Sequence, residues 1–204
     1  MRKSRIVGLL FCLVFPLSGQ SEETQVQRGA HVALEVCNAC HSLKYIKYDD
    51  LMKIGFTKAQ VDAMRGDKEM GAPLLSQMAP QDELGMFGTV PPDLSLMAKA
   101  REGGAHYIYS MITGFYTDAK GQTQNKVFPG IKMPDVFMIA QADAAGKAAI
   151  EKKARDVSVF LAWASDPQAE DRTTLGKYVI AYFVFLTILL FFLKKKIWKK
   201  LGNH

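Results

Sequence analysis

Cysteine is scarce in this sequence, with three residues in a chain of 204. Cys12 lies inside an apolar N-terminal run, which leaves Cys37 and Cys40 as the only cysteines in the rest of the chain. No further pair exists with which to build a disulfide framework, so a small disulfide-stapled fold is excluded. The globular part therefore has to be stabilised by a hydrophobic core, and about 150 residues are enough to bury one.

The globular part also lacks an excess of basic residues, although the whole chain carries a net charge of +6. Nine of the 26 lysines and arginines lie near the two ends of the chain. Residues 21–172 hold the other 17 together with all 20 acidic residues, so this stretch carries a net charge of −3. Proteins that bind nucleic acid gather basic residues on their folded part. We therefore expect no nucleic-acid partner.

Repeats, low-complexity segments and long alternating apolar runs are absent as well, which argues against a β-rich domain. Apolar residues recur instead with the spacing of helices, and this predicts a mainly α fold with long loops. The predicted helices cover residues 23–37, 57–65, a stretch that begins at Asp93 as N-cap, 105–113 and 143–165. Residues 42–56, 66–88 and 115–130 are expected to be irregular or loop-like.

The first of two apolar end segments is typical of a secretory signal peptide. Residues 1–21 begin with Arg2, Lys3 and Arg5, continue with a short apolar run and end in small residues. The alternative is a retained anchor, but the apolar run at residues 6–17 is too short to span a hydrocarbon layer of about 30 Å. We expect this peptide to be cleaved after export by a bacterial route.

The second apolar segment predicts a transmembrane anchor. Residues 175–193 contain one charged residue, Lys177, and as a helix they would extend roughly 28 Å. Three lysines follow directly at 194–196 and two more lie at 199–200, and the positive-inside rule places that end in the cytoplasm. The predicted order is a signal peptide at 1–21, a periplasmic domain at 22–172, an anchor at 173–195 and a cytoplasmic tail at 196–204, all in a bacterial inner membrane.

Between these ends, Cys37, Cys40 and His41 form the pattern C-x-x-C-H, which is typical of covalent haem c attachment. Each thiol can add to a vinyl group of haem, and His41 can then act as the proximal iron ligand. The alternative is a thioredoxin-type redox pair, which needs a βαβ context and no histidine. The sequence therefore predicts one covalently bound haem c.

A second iron ligand has to come from elsewhere in the chain, and Met133 is the best candidate. It lies in a loop flanked by Pro129 and Pro134, which stiffen the backbone that carries the thioether. A methionine opposite a histidine raises the reduction potential, as suits an electron carrier. Any single methionine could instead fill the core, and His106 is a further candidate ligand. His31 belongs to the helix that precedes Cys37, so we expect it to be a surface or packing residue.

Several stretches together resemble the cytochrome c1 family of bc1 complexes, in its shorter proteobacterial form. The pattern C-x-x-C-H is shared by many cytochromes, but Pro91-Pro92-Asp93-Leu94-Ser95 combined with Phe128-Pro129-Gly130 and Met133-Pro134 is more specific. The other matching stretches are 28–43, 64–68, 87–96, 100–101 and 156–164, followed by a C-terminal anchor that ends in lysines and a tryptophan. The chain departs from longer family members by being compact at 115–128 and 134–145.

The resemblance implies a cytochrome c-like haem domain in which Met133 is the sixth iron ligand. It also implies that Arg101 and Tyr107 lie near the haem propionates and that Pro92 packs on the porphyrin. No residue of such a subunit is catalytic by itself. The subunit would accept an electron from a Rieske iron–sulfur protein and pass it to a c-type cytochrome, within a dimeric quinol–cytochrome c reductase that contains cytochrome b.

Two other functions stay open from the residues alone. One is a free-standing, membrane-anchored cytochrome that shuttles electrons, and the other is a haem domain that senses a ligand at a weak sixth position. The mildly acidic domain would suit a basic electron acceptor through electrostatic steering. The candidate acids are Asp67, Glu69, Asp82 and Glu83, although an ordinary solvated loop would carry acids too.

Overall fold

A computed structural model describes residues 23–201 and confirms the mainly α fold. The predicted signal peptide and Cys12 lie outside the described residues. The helices are α1 Gln25–Glu35, α2 Lys58–Arg65, α3 Pro80–Phe87, α4 Met97–Ala100, α5 Ala105–Thr113, α6 Ala144–Ala164 and α7 Ala169–Leu201. Short 3-10 helices cover Cys37–Ala39, Tyr48–Ile54 and Ile139–Gln141. The strands are β1 Leu43–Lys47, β2 Pro73–Leu74, β3 Phe115–Thr117 and β4 Thr123–Asn125.

Local sequence signals explain the helices that were predicted. Thr24 caps α1 and Thr57 caps α2, each in a capping box completed by the glutamine three residues later. Asp143 caps α6 by accepting a hydrogen bond from the backbone N–H of Gly146 at 2.8 Å. Helix α5 ends at Thr113, and Gly114 follows it, as expected. The predicted bounds of these four helices are therefore confirmed to within about two residues.

Helices α1 and α6 cross in close contact at the centre of the domain. Gly29 allows this contact, because a Cβ atom at that position would lie 2.0 Å from the carbonyl oxygen of Asp156 and 2.8 Å from Cβ of Phe160. Beside the crossing, Arg28 Nε pairs with the buried carboxylate of Asp156 at 3.0 Å. The core that surrounds the crossing is fully buried at Ala30, Ala33, Leu43, Ile46, Leu51, Val61, Leu74, Ala154, Val157 and Phe160.

Three stretches that were predicted to be irregular contain regular structure. Residues 42–56 form β1 and a 3-10 helix, and β1 pairs antiparallel with β2 through Leu43 and Leu74. The irregular register between Leu43 and Lys47 breaks the alternation of buried and exposed side chains, so the sequence lacked a strand signal. Residues 66–88 contain α3, which starts with Pro80 at its first position, where proline is favoured.

The third stretch, 115–130, contains an antiparallel hairpin of β3 and β4, in which Tyr116 pairs with Gln124. Asp118 closes its turn by accepting hydrogen bonds from the N–H groups of Lys120 and Gln122, both at 2.8 Å. Gly121 supplies the positive φ of 75° in that turn. Strands of three residues are too short to give a periodic pattern, which is why the hairpin was missed.

Asp93 also differs from its predicted role as a helix cap. Helix α4 begins only at Met97, and Leu96 occupies the cap position. The carboxylate of Asp93 instead accepts hydrogen bonds from the N–H groups of Ser95 and Lys44, both at 2.9 Å. It therefore ties the segment before α4 to β1, a contact between positions 49 residues apart.

Helix α7 contains the predicted anchor. Among residues 23–201 it is the helix that is long and apolar enough to cross a membrane, over Ala169–Lys199, and none of its apolar part is buried in the domain. At its base, Asp166 bonds to Lys99 and Arg172, both at 2.7 Å. These two cations, Arg172 more strongly, hold the pKa of the Asp166 carboxyl well below its usual range. The base of α7 is thereby linked to α4.

We predict that Gly29→Ala destabilises the protein by about 3 kcal/mol or more, because the added methyl group has to push α1 away from α6. Gly85→Ala in α3 is the matched control, since a Cβ atom there meets nothing within 4 Å. That control should be neutral or stabilise by up to about 1 kcal/mol. Guanidinium denaturation of the detergent-solubilised protein measures both. Equal stabilities for the two variants would contradict the close crossing.

Candidate cofactor site

The C-x-x-C-H pattern opens onto a cavity of about 520 Å³, a size typical of cofactor pockets. Its walls come from the end of α1, the segment before α4, helix α5, the segment that follows β4, and α6. The side chains that line it are mostly apolar. All seven predicted site residues lie on its walls, namely Cys37, Cys40, His41, Pro92, Arg101, Tyr107 and Met133.

The two cysteines are presented by a tight turn that follows α1. Helix α1 ends at Glu35, and the 3-10 helix at Cys37–Ala39 continues the chain. The N–H groups of Cys40 and His41 both donate to the carbonyl of Cys37, at 3.1 and 2.8 Å. The pattern is therefore folded back on itself, so that both thiols and the imidazole line the same cavity.

Asn38, between the two cysteines, stabilises this turn through buried hydrogen bonds. Its side chain is 2 % exposed and donates to the carbonyls of His41 at 3.1 Å and Leu75 at 3.0 Å. Its own carbonyl accepts a hydrogen bond from the N–H of Gln77 at 2.9 Å. The variable position of the pattern is thus a buried structural residue in this chain, which the spacing of the cysteines does not reveal.

His41 is oriented by a backbone group. Its Nδ1 lies 2.7 Å from the carbonyl oxygen of Pro92, and because a carbonyl can only accept, Nδ1 carries the proton. The lone pair is then on Nε2, the nitrogen that remains for a metal. Burial lowers the pKa of His41, against smaller opposing effects of this hydrogen bond and of the Glu83 and Asp93 charges. The imidazole is therefore kept neutral, as a metal ligand has to be.

Both thiols differ from the reactive cysteines of redox enzymes. Burial, with a smaller contribution from Cys40, raises the pKa of Cys37 to about 12. Burial and then the charge of Glu83 raise the pKa of Cys40 as well. A thioredoxin-type pair depends on a lowered thiol pKa. The environment of Cys37 and Cys40 thus argues against that alternative.

Met133 lies on the cavity wall in the segment that links β4 to α6. The segment is held by Asp135, whose carboxylate accepts a hydrogen bond from the N–H of Ala140 at 2.8 Å. Met97 and Met111 line the same cavity, so the structure brings three thioethers to it. His106, the other candidate ligand, is exposed, stacks on Tyr109 and does not line the cavity. His31 packs edge-on against Phe56 outside the cavity, as a packing residue would.

Arg101 and Tyr107 sit at the cavity in positions that differ in exposure. Arg101 is exposed and, within residues 23–201, pairs with no carboxylate; its Nη1 donates to the carbonyl of Ala100 at 3.3 Å. Tyr107 is half-buried on α5. A guanidinium that lines a cavity without an acidic partner is suited to an anionic group of a cofactor.

Glu83 is a residue whose environment the sequence did not reveal. We expected it to be one of several solvated acids, but it is 3 % exposed, whereas Asp82 beside it is exposed. Its Oε1 accepts a hydrogen bond from the Ser76 hydroxyl at 2.8 Å. The carboxylate of Glu83 therefore lies in the interior, beside the C-x-x-C-H turn.

The chemistry of this site fits haem c. An apolar cavity carries two thiols, a neutral imidazole with a free nitrogen lone pair and three thioethers, which are the ligand types of a histidine–methionine haem. In the described part of the chain, no cluster of three or more His, Cys, Asp or Glu side chains could hold a bare metal ion. A zinc site built from Cys37, Cys40 and His41 is thus not supported.

Comparison with known proteins identifies the same family that the sequence resembles. The model of the Cytochrome C1 family matches residues 15–73 and 70–201. Cytochrome c1 of Rhodospirillum rubrum is 31 % identical over 235 residues, which cover 89 % of this chain and 83 % of that protein. The mitochondrial cytochrome b-c1 complex catalytic subunit of Candida albicans is 30 % identical, covering 90 % of this chain and 74 % of its own length. A chain of a solved hyperthermophilic respiratory complex III has a TM-score of 0.52 and 25 % identity, covering 89 % of this chain and 78 % of its own.

We predict that Asn38→Ala destabilises the protein by about 2 kcal/mol, because the carbonyls of His41 and Leu75 lose their buried donor. Asn38→Asp should be worse, since it places an acceptor against both carbonyls. Gln77→Ala is the control, because it removes an exposed side chain and keeps the backbone bond to Asn38. Denaturation midpoints measure all three, and a midpoint for Asn38→Ala equal to that of the control would refute this role of Asn38.

Proposed function

Because this chain belongs to the cytochrome c1 family, we propose that it is the electron-transfer subunit of a quinol–cytochrome c reductase, the bc1 complex. The observation that carries the proposal is that Cys37, Cys40, His41 and Met133 line one apolar cavity. No residue of this chain would act as a catalyst by itself. Quinol oxidation belongs to the other subunits of the complex.

Each residue of the site has a role in this proposal. The thiols of Cys37 and Cys40 would each add across a vinyl group of haem, forming a carbon–sulfur bond while the thiol hydrogen goes to the neighbouring vinyl carbon. Nε2 of His41 would ligate the iron on one side, with Nδ1 held by Pro92. The thioether of Met133 would ligate it on the other. Bound haem supplies a one-electron couple at its iron.

The other cavity residues would complete the environment of the cofactor. Pro92 and the apolar side chains around it would pack on the ring and exclude water. Arg101 and Tyr107 would face the propionates, where the guanidinium can form directed hydrogen bonds to a carboxylate. The subunit would accept an electron from a Rieske iron–sulfur protein and pass it to a c-type cytochrome.

The orientation of the protein in the membrane is inferred from the apolar helix α7 and the lysines at its end. Helix α7 would cross a bacterial inner membrane once, with the haem domain in the periplasm and the lysine-rich end in the cytoplasm. The anchor would confine the domain near cytochrome b and the Rieske protein, which raises their effective concentration. The assembled complex would be a dimer, and the net charge of −3 on residues 21–172 would favour a basic acceptor.

We predict that Met133→Leu abolishes six-coordinate, low-spin haem and lowers the reduction potential, because leucine has no donor atom for the iron. Absorption spectra of both oxidation states and a redox titration measure the change. Met97→Leu and Met111→Leu are matched controls, since both methionines line the same cavity. Their spectra should stay low-spin. A low-spin spectrum that survives in Met133→Leu and is lost in either control would reassign the ligand, and one that survives in all three would place the sixth ligand on another residue. A wild-type spectrum that is already high-spin would support a ligand-sensing haem.

The assembly is tested by purification from a native membrane. We expect the tagged full-length protein, extracted in mild detergent, to bring down a cytochrome b and an iron–sulfur protein in equal amounts. Its difference spectrum should show b-type and c-type haem together. Recovery of a lone c-type haem protein under conditions that keep other respiratory complexes intact would favour the free-standing electron shuttle.

A further inference from the structure

Glu83 is a buried carboxylate without a cationic partner in residues 23–201. It is 3 % exposed, and its hydrogen-bond donor is the neutral hydroxyl of Ser76 at 2.8 Å. The buried carboxylate of Asp156, by contrast, is paired with Arg28 at 3.0 Å. A buried charge is costly unless an opposite charge compensates it. The protein chain itself supplies no such charge to Glu83 in its described part.

Ser76 connects Glu83 to the C-x-x-C-H turn. Besides its hydroxyl bond to Glu83, Ser76 donates its N–H to the hydroxyl oxygen of Ser42, the residue after His41, at 2.9 Å. The flanking residues are joined to the turn as well, since Leu75 accepts from the Asn38 side chain and Gln77 donates to the Asn38 carbonyl. Residues 75–77 therefore lie along the turn, and Glu83 lies directly behind them.

The charge of Glu83 acts on the residues that face the cavity. Burial is the main reason why the pKa of Cys40 is raised, and the negative charge of Glu83 is the second. The same charge acts on His41, where it opposes the larger effect of burial. Its field therefore reaches both residues that would hold the haem at this end of the turn.

We propose that Glu83 sets the reduction potential of the haem: its buried negative charge favours the oxidised state, and the Ser76 hydroxyl holds that charge beside the attachment turn. The inference rests on the proposed haem site. An iron porphyrin core carries one more positive charge when oxidised than when reduced, so a nearby negative charge stabilises the oxidised form and lowers the potential. In a poorly solvated site this effect is only weakly screened.

The test is Glu83→Gln, which removes the charge and keeps an oxygen that accepts from Ser76. We expect the equilibrium of haem reduction, titrated with mediators in the intact complex, to shift toward the reduced form by several-fold to about tenfold. A tenfold shift corresponds to roughly 59 mV for one electron. The matched control is Asp82→Asn, the same loss of charge on the neighbouring, exposed residue of α3, and its shift should be much smaller.

A second variant, at Ser76, tests the charge without a substitution in α3 itself. Ser76→Ala removes the donor that, in the proposal, holds the charge of Glu83 in place, so the proposal expects the potential to rise, in the same direction as for Glu83→Gln. The proposal is overturned if loaded Glu83→Gln shifts the potential no further than Asp82→Asn. Where Glu83→Gln yields no haem-containing protein, an unchanged or lowered potential in Ser76→Ala overturns it instead.

These outcomes are distinguishable from a failure of the proposed function. Loss of the haem site would appear in the wild-type protein as the absence of a covalently bound, low-spin haem. A failure of the present inference leaves that haem spectrum intact in the wild type and in Asp82→Asn, and changes only what the Glu83 and Ser76 variants do to the potential.

Discussion

The close crossing of α1 and α6 at Gly29 is the constraint on which the cofactor site depends. It requires a residue without a side chain, since a Cβ atom would overlap the backbone of Asp156. The ion pair between the half-buried Arg28 and the buried Asp156 joins the two helices at the same point. Because α1 delivers the C-x-x-C-H turn at its end, this crossing determines where both thiols and His41 meet the cavity.

The turn then depends on contacts with segments far away in the sequence. Asn38 and Ser42 bind residues 75–77, and His41 binds the carbonyl of Pro92. Asp93, next to that proline, is bonded to β1. Each of these bonds joins a short side chain to a backbone group of a separate segment. The result is an imidazole whose Nδ1 is held by the fold, which leaves Nε2 for a metal.

The sequence predicted the parts of the molecule that carry strong local signals. The capping box at Thr57 located α2, apolar spacing located α1 and α6, and the spacing of Cys37, Cys40 and His41 located the site. Strand β1 was missed because its pairing with β2, not local periodicity, decides it, and the strands of the hairpin are too short to give a pattern. Helix α3 was missed because glycines and prolines around it made 66–88 resemble a loop. The burial of Glu83 could not be predicted either, since its neighbours Asp82 and Leu84 are exposed and its hydrogen-bond partner Ser76 lies in a different segment.

A cavity of about 520 Å³ in the centre of a small domain also bears on stability. The cost of an unfilled apolar cavity grows with its volume, and the net stability of a domain is only about 5–15 kcal/mol. A bound haem would therefore act as part of the hydrophobic core as well as the redox group. The same walls would then serve two purposes: Pro92, Tyr107 and Met133 would complete the core around a bound ring, and the buried charge of Glu83 would gain a compensating charge at oxidised iron. Folding and the redox properties of the proposed site would then be coupled, because both depend on one filled cavity.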